Sequence, residues 1–587
     1  MELLSILSLA AALAAALFIR RRRLVWALGR QGPALAPAFM LVAWFAFLNL
    51  GESFGSLRLM GLAACLPLAA VAAAARAWSK PMRRTFLRWS VLEWGAFLVL
   101  GCLVFAVRGY DDTCHHAVVS TYLRGNIPPV ALNAPTFSLM YHTPFDAAAA
   151  LVVDAFGLDV ILALRLVSLV CLAAALSGLV ALCRLLFAGV WARAFGRLFF
   201  LFGFGPVYLR LHFDRYGTDL GVFHGMTSQS FVEAMLRWPM QLNFVVFIFL
   251  LASLLPKVPP DPGRGVPPAL LLPCAFLLPL ASEELTLFGL LFALYLGLKG
   301  RWPLGWLAAW LGLLLLGAAR SGVFAGALVP GRPFLCPVPA LDWPPSLPQG
   351  LSGLHPDGLP LFSREALEVV LLEWGPLFFC GLAAAAFHPR RQVLAAVFVF
   401  GFAIAACLDL GPWPKADTDR FLFYGTCAGF MLQAVWVEGL ERRHLEGALS
   451  WPAFAGAAIF LAALTMAGPL LYLAGIVREG IPRYWVTSED RLTYDAGALH
   501  RALEAVGPRD LIETDDQYAF ELVRSGFVVA APLTSPIIGN VSGPVGPHLA
   551  GRSSGAPRWL FLPAGDRRVA AGVVVAEYGG YVLVRAQ

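Results

Sequence analysis

The chain has 587 residues, 59% of them hydrophobic and only 14% charged, with a formal net charge of +7; its mean hydropathy is +0.71. Soluble domains carry about 45–50% apolar residues, and a single soluble core stops growing at about 250–300 residues, so the composition excludes one large soluble domain and indicates a polytopic membrane protein with one polar appendage. The positive charge lies in short clusters between apolar runs rather than in one basic stripe, which points to membrane lipids as surroundings and not to nucleic acid.

The first segment, "MELLSILSLAAALAAALFIRRRR", carries its charges after the apolar run and has no small-residue cleavage site behind a basic start. It reads as a retained anchor rather than a signal peptide. A span needs about 20 apolar residues, with shorter ones tolerated. On that basis spans are expected near 4–19, 34–50, 57–76, 88–107, 160–187, 194–209, 241–255, 267–282, 285–298, 303–319, 367–388, 392–409, 421–440 and 451–475. That makes about 14 transmembrane helices with an outside N-terminus. The turns holding Arg20 to Arg23, Lys80 to Arg88, Arg184 to Arg193, Lys257 to Arg264, Lys299 to Arg301, His388 to Arg391 and Glu441 to His444 then all face the cytoplasm, as the excess of Lys and Arg in cytoplasmic loops requires. The stretch 141–159 has an apolar run too short for a span and reads as an interfacial or re-entrant helix. Counting it as a span would put every later basic turn on the wrong side.

This topology gives a transmembrane domain, 1–476, in the plasma (inner) membrane, with outer loops 108–159, 210–240, 320–366 and 409–420. Residues 477–587 differ in kind. "AGALHRALEAVG" has helical spacing, "DLIETD" and "FVVAAP" read as strands, and "GVVVAEYGGYVLVRA" reads as a hairpin turning at Gly579-Gly580. The fold expected is therefore a polytopic α-helical bundle followed by a small extracytoplasmic, periplasmic α/β domain. Asp515 and Asp516 follow its first strand, where sites form in α/β sheets; with no Gly-rich loop beside them, a strand-end turn is the better reading. The ten cysteines include no C-x-x-C pair, which argues against a zinc or redox centre. Eight lie in expected spans; Cys114 and Cys336 lie in the two longest outer loops, where a disulfide between them and two separate thiols are both open.

The outer loop opens on "GYDDTCHHAVVSTYLRGNIPP". An ionisable group at the edge of hydrocarbon is by default a site hypothesis. Low dielectric and a neighbouring like charge both raise a carboxylate's pKa, which suits Asp111 and Asp112 to general-base work near neutral pH. The alternative is that the pair caps a helix end. A helix is expected over 113–124, followed by "GNIPP" (125–129), "YHTP" (141–144), an amphipathic stretch ending at Gly157, and Arg165 opening a long span.

Over about 108–210 this arrangement resembles the GT-C glycosyltransferase superfamily, multi-span enzymes that use polyprenyl-phosphate sugars, with a layout like its mannosyl- and aminoarabinose-transferases. The features in common are an acid or acid pair after a span, a helix, a G-x-x-P stretch, an aromatic before proline, and a short helix leading into a span with an early arginine. The resemblance implies direct displacement at the sugar C1, with Asp112 or Asp111 deprotonating the acceptor hydroxyl. It also places Tyr141 and His142 near the substrate, and suggests Asp214 and Asp219 as further acids, although no compact D-x-D stands there. His115 and His116 read as hydrogen-bonded partners of the carboxylates or of substrate rather than as metal ligands.

A departing phosphate needs positive charge where the oxyanion develops, and guanidinium suits it. Arg210, Arg215, Arg320, Arg332, Arg364 and Arg420 are candidates, with "DTDRF" around Arg420 the strongest; Arg165 could serve too, or hold the interface. Glu283 and Glu284 could top a helical hairpin facing the reaction cavity. With Asp112 and an imidazole they could hold a divalent cation such as Mg or Mn; no spacing demands one, and no other cofactor is implied. The partners expected are a polyprenyl-phosphate sugar donor and a glycan, lipid or protein acceptor. A lipid-linked saccharide flippase and an oligosaccharide polymerase or ligase are the competing functions.

Overall fold

A computed structural model describes residues 32–75, 90–106, 112–131, 134–138, 143–205, 231–234, 240–255, 268–298, 302–321, 340–341, 359–408, 420–479, 499, 501–507, 510–514, 522, 525, 527–530 and 559–585. The expected span at 4–19 lies outside the described residues. Among them the chain is mostly helical. Five helical segments are long and apolar enough to cross a membrane (Pro37–Phe54, Val160–Leu186, Leu304–Ser321, Phe421–Leu445 and Trp451–Leu471), and shorter apolar helices of 10–17 residues pack among them.

In chain order the helices are α1 (Gly32–Gly51), α2 (Leu57–Ala75), α3 (Val91–Ala106), α4 (Asp112–Leu123), α5 (Thr143–Phe156), α6 (Val160–Leu186), α7 (Val190–Phe202), α8 (Phe231–Ala234) and α9 (Met240–Leu254). They continue with α10 (Pro268–Ala281), α11 (Glu283–Leu298), α12 (Leu304–Ser321), α13 (Arg364–Trp374), α14 (Pro376–Ala386), α15 (Gln392–Cys407), α16 (Arg420–Leu432), α17 (Ala434–Leu445) and α18 (Trp451–Glu479). A helix apolar on every face belongs inside a bundle. The α9 sequence, "MQLNFVVFIFLLASL", is of that kind, and its residues from Met240 to Ala252 are all buried. Peripheral α12 and α18 instead leave Leu315, Ile459, Phe460 and Leu471 exposed, the surface a bilayer would cover.

The expected span 367–388 is two helices. Gly375 takes φ +76° and caps α13, and Pro376 starts α14; proline lacks the N–H that a continuous helix would need there. The stretch 141–159 is a 14-residue helix, α5. It is too short to span, and residues Thr143 to Ala150 are wholly enclosed by protein.

Small residues let helices approach closely. A Cβ at Gly401 of α15 would lie 2.4 Å from the Phe421 carbonyl oxygen, and one at Gly425 of α16 would lie 2.7 Å from the Phe398 Cα. Both obstacles are backbone and cannot turn aside. Gly401→Ala and Gly425→Ala should each therefore destabilise the bundle by about 1–3 kcal/mol, read as a lowered midpoint of thermal unfolding in detergent. Gly456→Ala, with nothing within 4 Å, should not.

Charges sort the bundle's ends. At one end Arg391 donates to the Leu186 carbonyl at 3.2 and 3.0 Å and pairs with Glu438. Glu441 accepts from the Val190 and Ala192 N–H groups at 2.8 and 3.2 Å, capping α7. Glu93 pairs with Arg197. The Trp191 and Trp451 rings, 5.7 Å apart, lie at this end too, half exposed as interfacial aromatics are. The ends of α1 and α12 and the starts of α9 and α11 lie at the opposite end.

The C-terminal residues form a five-stranded mixed sheet. Its strands are β5 (Leu511–Thr514), β6 (Val528–Ala530), β7 (Trp559–Pro563), β8 (Val573–Tyr578) and β9 (Tyr581–Arg585), in the order β6-β5-β7-β9-β8. β6, β5 and β7 are parallel; β9 and β8 add antiparallel. Gly579 and Gly580 turn the hairpin at φ 59° and 81°, the pair of positive φ values that a two-residue turn of this twist needs. Two further two-stranded ladders, β1 (Val130–Ala131) with β2 (Ala134–Ser138) and β3 (Ala340–Leu341) with β4 (Leu359–Pro360), precede it in the chain.

Candidate functional site

Helix α4 begins at Asp112 and ends where Gly125 takes φ +85°. The Gly125 and Asn126 N–H groups return to the Tyr122 and Thr121 carbonyls, each at 3.0 Å, so "RGN" closes the helix as glycine in the left-handed region typically does.

Three buried attachments hold α4. His115 Nδ1 lies 2.8 Å from the Asp146 carboxylate of α5, both side chains buried. Tyr122 donates its hydroxyl to Glu52, in the turn after α1. Arg320, at the end of α12, donates to the other Glu52 oxygen at 3.1 Å, to the Asn49 carbonyl at 2.8 Å and to the Ser53 hydroxyl at 3.0 Å. Glu52 and Tyr122 are wholly buried, and a buried carboxylate persists only where it is paired and hydrogen-bonded. Burial first, and the Glu52 carboxylate second, hold the Tyr122 phenol well above its ordinary pKa. At neutral pH it is a donor, not a base.

The third attachment is the C-terminal domain. Ala117, wholly buried, belongs to the apolar cluster of Leu499, Leu503, Ile512, Phe527 and Phe561. Arg124 donates to the Val506 carbonyl at 3.1 Å and lies 3.6 Å over the Phe527 ring; burial pulls its guanidinium down to about 10, so it stays charged near neutral pH. The domain thus sits on α4, at the end of the bundle that carries Glu52 and Arg320.

The residues anticipated from sequence fall into three groups. Asp111, Tyr141, His142, Asp214, Asp219, Arg210, Arg215, Arg332, Cys336, Asp515 and Asp516 lie outside the described residues. Asp112 opens α4, Cys114 lies in its first turn, Glu283 opens α11 and Arg420 opens α16, but only their backbones are described. The others are placed with their side chains. His116 Nδ1 lies 3.3 Å from the Ser120 hydroxyl. Arg165 lies over the Phe105 ring at 5.7 Å, tying α6 to the end of α3 just ahead of Asp112. Glu284 is buried, and Arg364 is exposed at the first position of α13. Arg320 is committed to Glu52 rather than presented to a phosphate.

Sequence reasoning passed over Glu52, Tyr122 and Asp146. The rule that singled out Asp111 and Asp112, an acid at the end of an apolar run, applies equally to Glu52 in "LNLGESFGS". Among the described residues no group of three His, Cys, Asp or Glu stands together so as to hold a metal ion; the Asp112 and Glu283 side chains of the expected cation set lie outside them.

Fold and site define a multi-helix membrane protein with a pinned polar helix at the end opposite its arginine-rich turns. Comparison with models of protein families, with curated proteins and with solved structures finds no match to this chain.

Proposed function

We propose that the chain is an integral membrane glycosyltransferase of the GT-C type, moving a sugar from a polyprenyl-phosphate donor to a glycan, lipid or protein acceptor. The observation that carries this reading is α4, which starts at Asp112 and is fastened by His115–Asp146, Tyr122–Glu52 and the C-terminal domain. A general base must be held at hydrogen-bond reach of the proton it takes, and a helix so fixed is a support of that kind. By the excess of arginine in cytoplasmic turns, the end with Arg197, Arg391 and Arg442 is cytoplasmic. The α4 end and the sheet domain are then periplasmic, on the plasma (inner) membrane.

In the reaction Asp112 takes the acceptor hydroxyl proton, and the acceptor oxygen bonds to the sugar C1. The C1–O bond to phosphate breaks, and polyprenyl phosphate leaves with the electron pair. Arg420, opening α16, would stand by the leaving phosphate. A flippase would place its working charges near the bilayer midplane. Among the described residues, the buried ionisable groups Glu52, Glu93, His115, Asp146, Glu284, Arg391 and Glu441 all stand at or near helix ends, which favours the enzyme.

The purified protein in nanodiscs, given radiolabelled undecaprenyl-phosphate mannose, glucose or arabinose and envelope membranes from a deletion strain, should move label from lipid to acceptor with release of undecaprenyl phosphate. Passage of intact lipid-linked sugar across proteoliposomes, with no release, would establish the flippase instead.

A further inference from the structure

Three helices that are distant in sequence start at the α4 end of the bundle: α9 at Met240, α11 at Glu283 and α16 at Arg420. Their relative heights are fixed by aromatic rings. Phe247 of α9 lies 4.8 Å from Tyr424 of α16 and 5.9 Å from Phe288 of α11, and Phe288 lies 5.6 Å from Tyr424. All three rings are buried. Asn243, Glu284 and Arg420 each stand four residues earlier on their own helices. An i, i+4 pair shares one helix face, and Cα–Cβ bonds lean towards the helix N-terminus. Asn243 and Glu284 therefore lie one turn outside the rings, on the helix faces that carry Phe247 and Phe288, at the level where α16 starts.

Two further facts mark that level of the bundle as more than apolar packing. The Asn243 side chain is wholly buried; among the described residues its amide nitrogen reaches the Met240 sulfur at 3.5 Å and its amide oxygen accepts no hydrogen bond. An unmatched amide in such a place is costly unless something supplies its partner. Glu284, at the matching level of α11, is also buried, 2% exposed. The antiparallel α12 shows where this lies relative to α4. The Trp310 indole donates to the Gly289 carbonyl at 3.1 Å, and a Cβ at Gly317 would lie 2.4 Å from the Phe276 carbonyl oxygen of α10. Arg320, one turn beyond Gly317, is thus at the same end as Glu284.

We propose that Asn243 and Glu284 form a sugar-hydroxyl pocket above the Phe247–Phe288–Tyr424 rings, selecting the sugar of a polyprenyl-phosphate donor. A carboxylate accepts hydroxyl protons, and an amide offers both a donor and an acceptor, which together suit vicinal hydroxyls and not a bare phosphate. The inference rests on the substrate class proposed above but not on transfer chemistry, so binding alone tests it.

The affinity of the protein in nanodiscs is compared for undecaprenyl-phosphate mannose, glucose and arabinose, for undecaprenyl phosphate alone, and for soluble mannose 1-phosphate. At least one sugar lipid should bind more tightly than bare undecaprenyl phosphate. Glu284→Gln and Asn243→Leu should each remove about tenfold to a hundredfold of that gain, the range for a lost hydrogen bond in a buried site. Binding of bare undecaprenyl phosphate should be unchanged in both, which also shows that the variants are folded. Mannose 1-phosphate should bind weakly, because the lipid is missing. Sugar gain intact in both variants, or no sugar gain in the wild type, overturns the pocket. Sugar gain lost in both variants while the wild type transfers nothing upholds the pocket and overturns the transferase reading instead.

Discussion

Asp112→Asn is expected to lower sugar transfer by a factor of about 10²–10⁴, the usual contribution of a positioned general base, while the protein expresses and unfolds as the wild type does. The expectation of an intact fold has a physical basis. Asp112 is the first residue of α4, where an asparagine side chain satisfies the free N–H groups of a helix start about as well as aspartate does. The attachments that hold α4, namely His115 to Asp146, Tyr122 to Glu52, and Ala117 and Arg124 to the sheet domain, lie further along the helix and are untouched. What the substitution removes is the ability to accept a proton. Initial rates with a radiolabelled undecaprenyl-phosphate sugar, beside thermal unfolding of the same preparations, separate the two effects. Asp111→Asn and the double variant complete the series, and full transfer by all three would remove the aspartates from the chemistry.

The sequence carried the bundle more fully than the site. Long apolar runs such as 160–186 and 451–471 can only be helices in a bilayer, since every backbone polar group there must be satisfied within the segment. The break at Gly375-Pro376 was written in the dipeptide itself, but hydropathy summed across 367–388 hides it. The β8–β9 hairpin was legible from Gly579-Gly580. Strand β7, "WLFLP", was not, because a central strand covered on both faces shows no alternation. The site has a different difficulty. His115 and Asp146 are separated by 31 residues, Tyr122 and Glu52 by 70, and Arg320 and Glu52 by 268. A single sequence shows that these residues are polar and lie at segment ends. Which acid meets which base depends on how the helices are ordered in the bundle, and hydropathy says nothing of that order. The register of Asn243, Glu284 and Arg420 has the same origin: each is an ordinary helix-start residue until the rings one turn below are seen to touch.

The buried ion pair between α12 and the turn after α1 should dominate the stability of the α4 end. Arg320 donates to Glu52, Asn49 and Ser53, and the Glu52 side chain is fully enclosed. Arg320→Met removes the positive charge and its three hydrogen bonds and leaves the carboxylate with the Tyr122 hydroxyl. Breaking a buried pair by taking one partner costs about 3–5 kcal/mol, because the remaining charge is uncompensated. Glu52→Gln should cost less, since Arg320, partly exposed at 13% of its side chain, keeps the Asn49 carbonyl and some access to water. The double variant should be more stable than Arg320→Met alone, because no charge is then left stranded; replacing both partners of a buried pair is often close to neutral. Thermal unfolding of the four proteins in one detergent gives the coupling directly, as neighbouring residues in one network depart from additivity by about 0.5–3 kcal/mol. Strict additivity, or an Arg320→Met protein as stable as the wild type, would mean that Glu52 is not held as an anion by Arg320. Tyr122 would then have to owe its position to packing alone. Because Glu52 also receives the Tyr122 hydroxyl, the same variant should loosen α4 at its far end from Asp112. Transfer should therefore fall in Arg320→Met even below its unfolding temperature, and recover in part when Glu52→Gln is added.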